Sequence, residues 1–465
     1  MTGERVEISW RPVIRKSDGP LYLAIADAIA RDIGEGRLPD GARLPPQRAL
    51  AEALGIDFTT VSRAYNEARH RGLVEGRVGQ GTYVKPRRAT IARPTASSVV
   101  DMSMNLPPLF DDLGLAARLW DDIAGLQADQ GLGLLMRYQA PGGAAHNRAA
   151  GAAWLKQRLG DIPSERILVS AGAQGALLAT ISTLAKAGDT VCCEAITYPG
   201  LRALAAHLGI ELRGVAIDDS GLIPEAFQAE CAKRAPKALY CNPTLHNPTT
   251  ATLSLERRRA IVAIARHYGV PIIEDDAYGA LPVSPPPPLA SLAPELVYYV
   301  GGLAKCLSPA LRIAYLVVPD SRSSIRLEGA IRATVGMASP LAAMIATRWI
   351  EDGTADAALA AIRAETAARQ QIAAELLPTA TLRTDPSAFH AWLRLPQPWT
   401  RGELNARLQA AGVSVVVSDA FALDMPPEAV RLGLGAATSR TELKNSLSII
   451  ADLITNAPAS ASLVI

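Results

Sequence analysis

No stretch of this sequence approaches the ~20 consecutive apolar residues that a helix needs to cross a bilayer. Its apolar runs are broken at strand or helix-face length by Arg, Asp, Gly or Pro. The opening residues, MTGERVEISWRP, carry charge early and hold no apolar run of the kind a secretory signal requires. Cysteine is scarce: Cys192, Cys193, Cys231, Cys241 and Cys306 make five, with no Cys-x-x-Cys pair among them. An odd count in that arrangement speaks against a disulfide framework and a zinc site, and for reduced thiols. These absences together predict a cytoplasmic chain. Net charge is also small, at +2. Residues 1–88 nevertheless hold 15 Lys and Arg against 11 Asp and Glu, which leaves the remainder slightly acidic. A modestly basic beginning is compatible with nucleic-acid contact but does not establish it.

What is present is a globular balance, 49% hydrophobic and 20% charged residues over 465, too long for one ordinary core. From Pro20 to about Val84 the pattern is helical with a glycine-rich end. KPRRATIARPTASSVVDMSMNLPP then has linker composition, rich in Pro, Ser, Thr and Arg without a sustained period. Beyond it, ILVS (167–170), TVCCE (190–194), LRGVAI (212–217), ALYC (238–241), VPIIED (270–275), VYYV (297–300) and AYLVV (314–318) alternate with amphipathic helices. That alternation predicts an α/β domain with a mostly parallel sheet. From about Thr334 the chain is helix-rich with strand-like pieces such as AWLRL and VSVVV, which suits a smaller α+β subdomain. The expected boundaries are a head at 18–86, a linker at 87–109 and a body at 110–457.

In the head, Leu21, Ile25, Ile29 and Ile33 form one apolar stripe along a first helix. Pro45 and Pro46 suit the start of a second helix, with Leu50, Ala51 and Leu54 facing inward and Gly55 ending it. A third helix follows, with Thr59 or Thr60 as N-cap and Val61, Ala64, Tyr65 and Ala68 facing inward. Its other face presents Thr60, Ser62, Arg63 and Asn66. Two helices joined by a short turn, the second carrying small polar and basic residues, is the helix-turn-helix arrangement. Two strand-like pieces around Gly79-Gln80-Gly81 close the unit as a hairpin. A small helical interaction domain with a solvated basic face fits the periodicity equally well.

In the body, Lys305 follows a buried strand ending in glycines, where a lysine of lowered pKa can form a Schiff base with an aldehyde. Asp275 ends the strand VPIIED, and a carboxylate there can keep a pyridine nitrogen protonated. Asp276 is its rival. Free amides around Ala173 and Gln174, at the start of the helix in SAGAQGAL, can cradle a phosphate.

Two resemblances decide between these readings. LPPQRALAEALGIDFTTVSRAYNEARHRGLVEGRVGQGTYV resembles the winged helix of the GntR family, which implies DNA contact by Arg43, Arg48, Thr59, Thr60, Ser62 and Arg63, with Gly81 in the wing. Across roughly residues 110–455 the order SAGAQGAL, EAITYPG, NPTLHNPTTAT, EDDAYG and Lys305 resembles the fold-type I aminotransferases, most closely the MocR subgroup that joins the two parts. The cofactor implied is pyridoxal 5'-phosphate, with Lys305 catalytic. Tyr198 stacks on the ring, and Asn247 and Tyr278 contact its phenolic oxygen. Asp275, favoured over Asp276 by its spacing to Tyr278, holds the ring nitrogen, and Arg312 supports the phosphate. Tyr138 reaches the phosphate of the neighbouring subunit of a homodimer, and Arg431 grips a substrate carboxylate. One departure stands out: the hydroxyl residues usual one and three positions before the lysine are here Ala304 and Gly302. Cys306 reads as packing.

The resemblance thus implies a multidomain chain, a winged helix-turn-helix followed by a fold-type I aminotransferase-like domain. Its implied function is a regulator that binds an operator in double-stranded DNA and senses an amino compound through aldimine exchange at Lys305. The alternatives are a working aminotransferase with an ancillary head, or a body serving only as a dimerisation scaffold. Amino acids, ω-amino acids, aminosulfonates and pyridoxal phosphate itself stay open as effectors.

Overall fold

The computed structural model describes residues 10–12, 20–34, 37–39, 41–71, 73–77, 81–84, 100–110 and 112–456. The chain divides into two compact units, Met1–Ser97 and Ser98–Ile465.

The first unit has helices Leu21–Gly34, Gln47–Leu54 and Phe58–His70, then an antiparallel ribbon of Val74–Arg77 with Gly81–Val84. Ile25, Ile29, Val61, Ala64, Tyr65 and Ala68 are fully buried together, as the periodicity predicts, while Leu21 at the helix start is exposed. The second helix ends where Gly55 takes φ 62°, a left-handed conformation that suits glycine, and its N–H closes back on Ala51 and Glu52. The third helix is capped by Asp57 rather than by Thr59 or Thr60, because the Asp57 carboxylate accepts from the Thr59 N–H at 2.7 Å. The core also begins earlier than residue 18. Trp10 is buried in it, donating to Asp32 Oδ2 at 2.7 Å. Residues 78–80, which include most of the expected hairpin turn, lie outside the described residues, as do 85–99.

The second unit is built on a seven-stranded sheet. Its spatial order is Ile167–Ser170, Ala314–Val317, Val297–Gly302, Ile272–Asp275, Ala238–Cys241, Thr190–Glu194, Glu211–Val215. All pairs are parallel except those of Ala314–Val317, which runs antiparallel to both neighbours. Helices cover both faces. Alternate residues of each strand therefore enter two separate cores: Ile272, Leu239 and Tyr299 into one, Ile273, Tyr240 and Val300 into the other. Burial on both faces is why these strands read as continuous apolar runs.

A smaller antiparallel sheet, Leu382–Arg383, His390–Arg394, Ala429–Gly433 and Val416–Val417, carries the C-terminal subdomain with its own core. The expected linker is corrected here. Val100–Asp101 pairs in parallel with Val413–Ser414, and Met102 is fully buried in the subdomain core, so residues 100–109 belong to the body. Gly433 and Gly435 make this possible. A Cβ at Gly433 would fall on the carbonyl oxygens of Met102 and Met104, and one at Gly435 on that of Leu106. The segment lies flat on the strand because side chains are missing there. All five cysteines are free and buried. Among the described residues no helix is long and apolar enough to cross a membrane.

Candidate functional sites

Lys305 lies in the turn that follows Val297–Gly302, and its Nζ donates to the main-chain oxygen of Asn105. Burial, reinforced by the positive charges of Arg431 and Arg312, lowers its pKa to about 8, against the opposing pull of Asp275. Asp275 ends the neighbouring strand. Its Oδ2 accepts from the Tyr240 hydroxyl at 2.8 Å, while its Oδ1 is buried with no partner. Burial pushes this carboxyl up to about 6, with the Tyr240 hydrogen bond working the other way. Asp276 turns elsewhere: Arg158 donates to it from Nε at 3.0 Å and Nη2 at 2.8 Å, and Tyr299 donates at 3.0 Å. Asp276 Oδ1 also lacks a partner, but the carboxylate whose charge acts on Lys305 is Asp275.

Asparagines and Arg431 tie the site together. Asn242 Nδ2 donates to the Asp275 carbonyl at 2.6 Å, and its Oδ1 accepts from the Asn247 N–H at 2.8 Å. Asn247 Oδ1 accepts from Arg431 Nη1 at 3.0 Å, while Arg431 Nη2 donates to the Ser103 carbonyl. The Arg431 Nε is buried without a partner, and its guanidinium lies 5.2 Å from the Phe421 ring centroid. Asn105 Nδ2 donates to the Tyr278 hydroxyl oxygen at 2.8 Å and faces His390 Nδ1 at 3.3 Å. His390 Nε2 in turn meets the His246 carbonyl at 3.1 Å. Those partners assign the proton to Nε2, and burial, its largest influence, holds the ring neutral by lowering its pKa to about 3.

At the other end, helix Gly172–Leu184 begins with no side-chain cap, so its first N–H groups, including those of Ala173 and Gln174, are open to an anion. The Arg312 guanidinium stands over this start, 3.5 Å from where a Gly172 Cβ would be. Gln174 Nε2 donates to the Gly200 carbonyl at 3.0 Å, and the Tyr198 hydroxyl donates to Gln174 Oε1 at 3.4 Å. Gly200 lets the Tyr198 ring fold back, since a Cβ there would lie inside the ring. Tyr198 feels the charges of Asp275, Arg312 and Arg431. The structure thus brings Lys305, Asp275, Tyr278, Asn247, Tyr198, Arg312, Arg431, Ala173 and Gln174 to one place. Tyr138 is not among them. It stands 95% exposed on the surface of this chain. A Cβ on Gly302 would sit 3.3 Å from that of Ala173, so a hydroxyl residue there would crowd the helix start.

In the head, Arg48 lies over Phe58 at 5.8 Å and Arg63 over Tyr22 at 4.3 Å, so both guanidiniums are aligned by aromatic faces while staying exposed. Arg43 bridges to Tyr83 of the ribbon and packs across Gly81, whose φ is +113°. Thr59 is exposed but donates its hydroxyl proton to Asp57, while Thr60 and Ser62 are half-buried.

Sequence reasoning missed Asn105, Tyr240, Asn242, His390 and Gly200. The alternate glycines of RLGLG were the available sign that another backbone runs over that strand.

Comparison with known proteins agrees with this division. The model of "Aminotransferase class I and II" matches residues 99–450, and that of "Bacterial regulatory proteins, gntR family" matches residues 21–84. The uncharacterized HTH-type transcriptional regulator YdeF of Bacillus subtilis is 29% identical over 459 residues, covering 97% of this chain and 98% of its own. The vitamin B6 salvage pathway transcriptional repressor PtsJ of Salmonella typhimurium is 27% identical over 429 residues, 90% of this chain and 95% of its own. Among solved structures, the α-aminoadipate aminotransferase LysN of Thermus thermophilus, complexed with N-(5'-phosphopyridoxyl)-L-leucine, shares the fold with a TM-score of 0.68. That match is 24% identical and spans 77% of this chain and 92% of the other.

Proposed function

The chain belongs to the aminotransferase class I and II family and carries a gntR-type head, and from that premise we propose that it is a MocR-type transcription regulator whose body binds pyridoxal 5'-phosphate. The observation that carries the reading is the buried, unpartnered Asp275 Oδ1 beside an amine already pushed toward neutrality. A protonated pyridine nitrogen is the donor that oxygen lacks. Bound there, the cofactor supplies an aldehyde that condenses reversibly with amines.

The chain's own groups divide the remaining work. Lys305 holds the cofactor when no effector is present. Tyr278 and Asn247 bind its phenolic oxygen, and Tyr198 stacks on the ring. The amides of Ala173 and Gln174 and the Arg312 guanidinium hold the phosphate, with Tyr138 of a second copy completing it in a homodimer. Arg431 presents a guanidinium to the effector's carboxylate, so the effector is a small amino compound bearing an acid group. In the head, Arg43, Arg48, Thr59, Thr60, Ser62, Arg63 and Gly81 face operator DNA in the cytoplasm. Thr59 must turn its hydroxyl from Asp57 to donate to a phosphate. An effector changes operator affinity only if it binds one conformational state of the protein more tightly than the other.

A working aminotransferase is the second reading. A lysine with a pKa of about 8 is suited to moving protons near neutral pH. The missing hydroxyls at Gly302 and Ala304 weigh toward sensing. Full-length protein given the cofactor should show a visible absorption band that Lys305→Ala removes. Amino acids, ω-amino acids and aminosulfonates are then titrated against that band and against operator affinity. A compound that changes both supports the regulator. Sustained keto-acid-dependent turnover with no change in operator affinity would overturn it in favour of the enzyme.

A further inference from the structure

A main-chain oxygen only accepts hydrogen bonds, and here that orients three side chains in turn. The His246 carbonyl accepts from the Thr250 N–H at 2.7 Å and meets His390 Nε2 at 3.1 Å, so the neutral ring carries its proton on Nε2. His390 Nδ1 is left as an acceptor, and it faces Asn105 Nδ2 at 3.3 Å. The two ends of an amide have nearly the same shape, and their partners decide which way it lies. With Asn105 reversed, its Oδ1 would stand against the lone pair of His390 Nδ1. The Asn105 NH2 group therefore serves two neighbours, one hydrogen toward His390 and the other to the Tyr278 oxygen at 2.8 Å. Its Oδ1 is buried with no partner. The Tyr278 hydroxyl, already accepting, keeps its own proton for another acceptor, and among the described residues it donates to none.

We propose that His390 is a positioning residue, which through Asn105 turns the Tyr278 hydroxyl proton to the phenolic oxygen of bound pyridoxal 5'-phosphate. This role rests on the cofactor-binding reading above. Without an acceptor at Nδ1 the Asn105 amide is free to reverse, and its unpartnered Oδ1 would then capture the Tyr278 proton. The Tyr278 ring cannot swing aside. It packs edge to face with Phe389, centroids 5.8 Å apart, and lies 5.4 Å from the His390 ring. Rotation of the hydroxyl about its C–O bond is the freedom that remains. Burial keeps the His390 ring neutral, so Nδ1 stays an acceptor near neutral pH. Burial also pushes the Tyr278 hydroxyl up, so the proton to be aimed is retained. The main chain of His390 is held independently of its ring, because Gln370 Nε2 donates to the His390 carbonyl at 3.1 Å.

Full-length, cofactor-loaded protein is titrated with pH while its visible band is followed. The band reports the proton that the Lys305 nitrogen, once joined to the cofactor, shares with the phenolic oxygen. A donor on that oxygen draws charge away from the shared proton, so the proton leaves at lower pH. His390→Phe keeps a ring but no acceptor, and should raise the midpoint by about one pH unit. In a Tyr278→Phe background, which has no hydroxyl to aim, His390→Phe should move the midpoint by less than about 0.3. Lys305, Asp275, Arg431, Tyr198 and His246, whose charges or polarity act on Tyr278 and His390, are the same in every protein compared. Nitrogen NMR of labelled histidine in the native loaded chain should find His390 protonated on Nε2 alone. That measurement still decides should His390→Phe fail to fold. An unmoved midpoint in His390→Phe overturns the proposal, as does an equal shift in both backgrounds or a proton on His390 Nδ1. Absence of any visible band in the native protein would instead overturn the cofactor reading, and this role with it.

Discussion

In the head, two of the side chains proposed to face DNA are held by near neighbours: Arg48 rests on Phe58, and Thr59 is tied to Asp57. In the body, several groups of the site are held by distant segments. Asn105 meets Tyr278 173 positions away and Lys305 200 away, and Arg431 reaches back 328 positions to Ser103. The arginines proposed to contact DNA are exposed, whereas the body's site groups are mostly buried and lean on one another. A substitution in the head should therefore weaken function and leave the fold standing. A substitution in the body should disturb both.

The sharpest break of that contrast is Gly435→Ala. Its Cβ would land on the Leu106 carbonyl, and overpacking against backbone should cost about 3 kcal/mol. Thermal unfolding should show the body's transition falling while the head's stays in place. Gly402→Ala, where a Cβ meets nothing within 4 Å, is the control and should change little. Asn105→Ala comes next. It leaves the Tyr278 hydroxyl and the His390 ring short of a partner but keeps the main-chain oxygen that receives Lys305. A loss of about 1–3 kcal/mol by denaturant titration is expected, with cofactor attachment retained.

Arg63→Ala should lower operator affinity by about tenfold and reduce the salt slope, while stability moves by less than about 1 kcal/mol. An equal loss of stability would erase the distinction between the two regions. The smallest effect concerns pH. Burial and two arginines lower the Lys305 pKa to about 8, so the neutral, nucleophilic amine gains population as pH rises through that value. The rate of cofactor loading into cofactor-free protein should rise about threefold between roughly pH 7.5 and 8.5. Arg431→Met removes one of the charges that lowers the pKa and should move that rise to higher pH.

The same contrast explains what could be read in advance. The three helices of the head, with Ile25, Ile29, Val61 and Tyr65 inward, were visible in their spacing because helical contacts recur every three or four residues. The strands of the body were visible as apolar runs, and Lys305 and Asp275 stood out by their places at strand ends. Asn105 was not, because MNLPP has the composition of a connector and only pairing with Val413–Ser414 makes its neighbourhood a strand. Tyr240 and Asn242 escaped for a related reason: each acts through Asp275, and nothing local to ALYCN announces a partner on another strand. The helix cap at Asp57 was misplaced by two or three positions, since Asp, Thr and Thr stand nearly together and any of them has the chemistry.

The close fit of residues 102–108 over Gly433 and Gly435 also sets where this protein can be taken apart. A body excised at residue 110, where the composition changes, would uncover the backbone of its smaller sheet. It would also remove the oxygen that holds the Lys305 amine. The fragment would fail in its chemistry and in its solubility for one shared reason. A cut that keeps Val100–Asp101 takes the whole active neighbourhood with it, and a head kept from Trp10 onward retains the indole that closes its own core.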